Sequence, residues 1–135
     1  MFEFKSKATS TANIDKLWNN YKEVRNWKEW DSSVENVVLH GEFEEGTKGV
    51  LKSVGMPPLD FELIEVNKRE SFTNQSVMGP FSVKFTHVIN TENDVVTIEH
   101  GLIVTGPDEN KTKEIGNGIA STIPSAMEKL LEISK

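Results

Sequence analysis

Residues 110–134 read NKTKEIGNGIASTIPSAMEKLLEIS, and no other stretch of the chain carries so long an apolar stripe at helical spacing. Ile115, Ile119, Ile123, Met127 and Leu131 recur every four residues, and Ala120, Ala126 and Leu130 widen the stripe into a face able to cover a sheet. Lys111, Lys113, Glu114, Asn117, Glu128, Lys129 and Glu132 occupy the other face, so the spacing predicts an amphipathic helix with one side in solvent. Gly116 and Gly118 leave its first turns thin. Pro124 removes an internal N–H and pushes on the carbonyl of Ala120, which predicts a kink or break near Thr122. A thin, kinked helix over a sheet is expected to leave room beneath it.

What lies upstream supplies the sheet. Phe2 to Ser10 alternates apolar and polar residues, as a half-buried strand does. Thr9-Ser10-Thr11 then offers hydroxyls for a helix N-cap, and Ile14, Leu17, Trp18 and Tyr21 follow at the spacing of an amphipathic helix. Val24, Trp27 and Trp30 extend the apolar thread into a second short helix that turns at Asp31-Ser32-Ser33. From there six strands are expected, at Val34–His40, Thr47–Val54, Leu59–Val66, Ser71–Val77, Phe81–Asn90 and Val95–Thr105, with the even spacing of an antiparallel meander. The result is one α+β domain, 1–135, with a seven-stranded antiparallel sheet.

In a meander, successive turns fall at alternating ends of the sheet. The turns Gly41–Gly46, Asn67–Glu70 and Thr91–Asp94 are charged and belong to one end. Gly55-Met56-Pro57-Pro58, Met78-Gly79-Pro80 and Thr105-Gly106-Pro107 are apolar and belong to the other, which therefore collects four of the five prolines. An uncharged rim of stiff Pro with adaptable Met56 and Met78 is either the mouth of an apolar binding site or a cap on the core.

Composition removes several function classes. The net charge is −6, from 15 basic and 21 acidic residues, with no Lys/Arg cluster, so the basic footprint of a nucleic-acid binder is missing and the same balance disfavours docking on anionic lipid. No apolar run reaches the ~20 residues of a membrane span, and the first residues lack the basic-then-apolar order of a secretory signal. With no cysteine, disulfides, thiolate metal sites and cysteine nucleophiles are out, and a cytoplasmic location is expected. No phosphate loop, no Gly-x-Ser-x-Gly elbow and no helical histidine pair is present, so neither a cofactor nor a metal site is expected.

Two histidines carry what chemistry remains. Phe81, Val83, Phe85, His87 and Ile89 share one strand face, and Val96, Ile98, His100, Leu102 and Val104 share the next, so both imidazoles point toward the helix. If the turn between the strands is two residues long, His87 and His100 lie directly opposite or one diagonal step apart. In that position an imidazole can transfer a proton, hydrogen-bond a ligand, or be a core histidine paired with a backbone carbonyl. No Asp or Glu shares their face to orient a proton transfer.

The order of these elements carries a resemblance. A first strand, Leu17-Trp18, the Trp27-x-x-Trp30-Asp31 segment, Gly-x-Phe-x-x-Gly-x-x-Gly over Gly41–Gly49, a meander and a closing amphipathic helix together resemble the START-like or helix-grip superfamily (SRPBCC), in its polyketide cyclase/dehydrase-like branch. The resemblance implies a seven-stranded antiparallel sheet wrapped around a long C-terminal helix, with two short helices between strands 1 and 2. It also implies an interior cavity for a lipid, polyketide or other apolar small molecule, entered through the apolar loops. On that reading Trp27, Met56, Met78, Phe85, His87, Ile98, His100 and Leu102 line the cavity from below, and Ile119, Ile123 and Met127 from the helix. His87 and His100 are the catalytic candidates if the chain is a cyclase or dehydratase. A carrier and an Hsp90-activating interaction module are the other classes such a fold serves.

Overall fold

The computed structural model describes residues 1–135. Strand β1 (Phe2–Ser10) leads into α1 (Ile14–Lys22), a single 3-10 turn (Val24–Asn26) and the one-turn helix α2 (Trp27–Trp30). Six strands follow: β2 (Val34–Leu39), β3 (Lys48–Ser53), β4 (Leu59–Asn67), β5 (Ser71–Met78), β6 (Phe81–Glu92) and β7 (Val95–Thr105). Helices α3 (Glu109–Ala120) and α4 (Ile123–Ile133) close the chain. The strands form one antiparallel sheet in the order β1-β7-β6-β5-β4-β3-β2, so the meander is continuous and β1 closes on its last strand. Charged and apolar turns accordingly stand at opposite ends, with Met56 and Met78 at the same end.

The C-terminal helix breaks where Pro124 requires. Pro124 falls in the first turn of α4, where a missing N–H costs nothing, and the hydroxyls of Ser121 and Thr122 donate to the carbonyls of Gly118 and Ile119 at the end of α3. The buried line of α3 is Thr112, Gly116 and Ala120, one position on from the expected Ile115 and Ile119, which flank it half-buried. Small residues let α3 sit low on β1 and β7. The space expected beneath Gly116 is taken by the ring of Phe2, which presses where a Cβ would be. In α4 the expected stripe holds, with Ile123, Ala126, Met127, Leu130 and Leu131 buried.

The first helix corrects a second expectation. Its N-cap is Asn13, whose side chain accepts from the amides of Asp15 and Lys16, rather than the hydroxyls of residues 9–11, because β1 pairs with β7 through Ser10. The amide of Asn13 donates to the carbonyl of Ser134, tying α1 to the end of α4.

The glycine-spaced segment has a structural purpose. Gly41 and Gly46 take positive φ, 145° and 94°, and the turn between them folds Phe43 back so that its ring meets Trp18 and Phe72 edge-on. Gly49 leaves room for the ring of Phe61 on the neighbouring strand. The acidic residues Glu42, Glu44 and Glu45 face solvent around it.

Candidate functional site

The hairpin joining β6 and β7 is Asn93-Asp94, both with positive φ, the geometry of a tight two-residue turn. It fixes the register so that His87 pairs with His100 directly across the ladder. Both rings are buried on the inner face, edge to face with centroids 4.7 Å apart. Strand β5 brings Phe72 opposite His87, and the two rings stack at 3.8 Å. Tyr21 reaches in from α1, its ring against Phe72, His87 and His100. Trp27 lies against Phe61 and Phe72, and its indole N–H donates to the Tyr21 carbonyl at 2.9 Å. Trp30 packs on Tyr21 and His100. Helix α1, α2 and the Phe43 turn thus plug one half of the interior with rings.

Each imidazole is paired once within the protein. His87 Nδ1 is 3.1 Å from the Phe72 carbonyl; a carbonyl only accepts, so Nδ1 carries the proton and Nε2 of the neutral ring is a bare acceptor. His100 Nε2 shares a 2.7 Å hydrogen bond with the Tyr21 hydroxyl. Burial pushes His87 down to about 4, against the opposing effect of its bond to Phe72. His100 is held well below the usual imidazole range by burial and then by its neighbour His87, and burial raises the Tyr21 phenol. All three are neutral at physiological pH. An imidazole titrating near 4 is a weak base at pH 7, far from the match between pKa and working pH that general acid–base catalysis favours. The pair suits hydrogen bonding better than proton transfer.

Toward the Pro/Met end the interior changes character. Inward of Phe72 on β5 come Asn74 and Ser76, both buried, and then Met78, half-buried. Phe85 on β6 and Leu51 on β3 are half-buried on the same inner face, with Ile115 and Ile119 of α3 half-buried at its side. Phe85 is not part of the ring cluster around Tyr21 and Phe72, and α3 seats mainly on β1 and β7. Two surface depressions lie elsewhere and are lined mostly by polar residues. One, of about 590 Å³, follows the outer side of the β6–β7 hairpin, and the other, of about 320 Å³, lies between α1 and Ile133.

No protein-family model matches this sequence, and no curated protein matches it either. Solved structures do. A hypothetical protein from Helicobacter pylori, jhp0584, superposes with a TM-score of 0.83 at 13% identity, covering 99% of this chain and 88% of that one. The chain has the helix-grip fold. Protein MLL2253 from Mesorhizobium loti shares it with a TM-score of 0.78 at 12% identity, over 98% of this chain and 96% of that one. So does the di-domain ARO/CYC BexL from the BE-7585A biosynthetic pathway, with a TM-score of 0.76 at 13% identity over 98% of this chain and 46% of that one.

On the helix-grip frame the residues singled out from sequence fall into three groups. Ile98, Leu102 and Met127 are completely buried, and Ile123 and Trp27 nearly so, as parts of the packed core. His87 and His100 stand side by side at its centre. Met78, Phe85 and Ile119 are half-buried against the core, while Met56 is 58% exposed in the turn after β3.

Sequence reasoning passed over Asn74 and Ser76. On β5, polar residues occupy both faces, Thr73 and Gln75 outward and Asn74 and Ser76 inward, so alternation alone does not say which face is the inner one. The register with β6, which sets Phe72 against His87, is the signal that would have placed them.

Proposed function

We propose that the chain binds an apolar small molecule in the open half of its interior, between α3 and the inner face of β3–β6. The observation that carries this reading is the gathering of half-buried apolar side chains, Leu51, Met78, Phe85, Ile115 and Ile119, toward the end of the sheet that carries the Pro- and Met-rich turns. The likeness to BexL, an ARO/CYC protein of a biosynthetic pathway, is in keeping with a polyketide-like or aromatic occupant, and a lipid tail meets the same physical requirement. The neutral, weakly basic histidines support binding over cyclase or dehydratase chemistry.

The test is a titration with an environment-sensitive apolar dye. Saturable one-to-one binding that quenches or shifts Trp emission is the expected result, since Trp27 and Trp30 pack on Phe72 and His100 of the same inner face. Absence of saturable binding by the folded protein defeats the reading and favours a protein-interaction module.

A further inference from the structure

Asn74 stands out among the inner-face residues. The residue is 5% exposed, and its side-chain carbonyl oxygen, Oδ1, is fully buried without a hydrogen-bond partner. Its ladder neighbours are Leu63 on β4 and Phe85 on β6, neither of which has a polar side-chain atom to offer. One diagonal step away on the same face is His87, whose Nε2 is also an acceptor with no partner in the protein. An unsatisfied buried amide oxygen is costly enough that native proteins rarely keep one. Oδ1 of Asn74 and Nε2 of His87 are thus two neighbouring acceptors without a protein partner, and the nearest side-chain donor is the amide NH2 of Asn74 itself.

Resting on the binding reading above, we propose that Asn74 is the polar anchor of the site and selects an uncharged, largely apolar ligand that carries a hydrogen-bond donor, a phenol or an alcohol. The donor of the ligand meets Oδ1 of Asn74, and His87 Nε2 is placed to accept from a second donor on the same molecule. The apolar remainder lies toward Met78, Phe85 and Ile119. No Lys or Arg is buried anywhere in the chain, so a carboxylate or phosphate ligand has no countercharge inside. Ser76, the next inward residue on β5, continues the polar line toward the rim.

Three probes of one shape separate the possibilities: 2-naphthol, which donates a hydrogen bond; 2-methoxynaphthalene, which does not; and 2-naphthoate, which is charged. Each is titrated into the wild-type protein and Asn74→Leu by Trp fluorescence, with calorimetry as the second readout. In the wild type, 2-naphthol is expected to bind about 10-fold tighter than the methyl ether, and naphthoate weakest, from the net worth of one buried hydrogen bond. Asn74→Leu should bring naphthol and its ether within about 2-fold of each other while keeping affinity for the ether. Equal binding of naphthol and ether by the wild type overturns the assignment but leaves the cavity standing, and needs no variant to be seen. A preference that survives intact in Asn74→Leu, or tightest binding of naphthoate, also overturns it. Failure of all three probes to bind removes the cavity itself and the anchor with it.

Discussion

Acidification should destabilise this protein through its buried histidines, and the size of the effect follows from their surroundings. His87 is stacked on Phe72, faces His100 and Tyr21, and has no carboxylate on the inner face to stabilise a charged ring. It titrates near 6.5 when unfolded and near 4 when folded. Between those limits the unfolded chain takes up the proton first, so stability is complete above about pH 6.5 and falls as the pH drops. Each pH unit in the window is worth about 1.4 kcal/mol, so His87 alone removes about 2 kcal/mol by pH 5 and about 3 kcal/mol by pH 4. His100, held down as well, adds in the same direction. Urea unfolding at pH 7 and pH 5, on the wild type and on His87→Gln, isolates the contribution, because the other titrating groups are common to both proteins. The wild type should lose about 2 kcal/mol more than the variant between the two pH values. Equal losses would refute the claim that His87 is buried neutral.

Two substitutions probe the packing that frames the site. In Gly49→Ala the new Cβ would lie 2.5 Å from the Val38 carbonyl oxygen and 2.7 Å from the Phe61 ring, so a stability loss of about 1 to 3 kcal/mol in urea is expected, and one below ~0.5 kcal/mol counts against the packing described. Tyr21→Phe leaves His100 Nε2 unpaired in the core and should lower stability by about 1 to 3 kcal/mol with the fold unchanged by circular dichroism; an unaltered melting temperature would mean that the Tyr21–His100 bond contributes nothing.

Much of the architecture was legible in the chain because it rests on local periodicity. Two-residue alternation located the strands, turn chemistry separated them, and a continuous meander then required charged and apolar turns at opposite ends. The break at Thr122 followed from a single proline, and the facing of His87 and His100 from strand parity and a two-residue hairpin. What periodicity does not encode is how far apart two packed elements lie or which partner a side chain meets across that gap. Tyr21 and His100 are 79 residues apart, and only the seating of α1 on the sheet brings them to 2.7 Å. The line Thr112-Gly116-Ala120 buries more fully than Ile115 and Ile119 because the ring of Phe2 packs where a Cβ on Gly116 would be, a contact between the first residues and α3. The isolation of Asn74 is likewise a tertiary fact. Any strand can carry an inward asparagine, and its Oδ1 becomes an unpaired acceptor only when Leu63 and Phe85 are registered on either side of it.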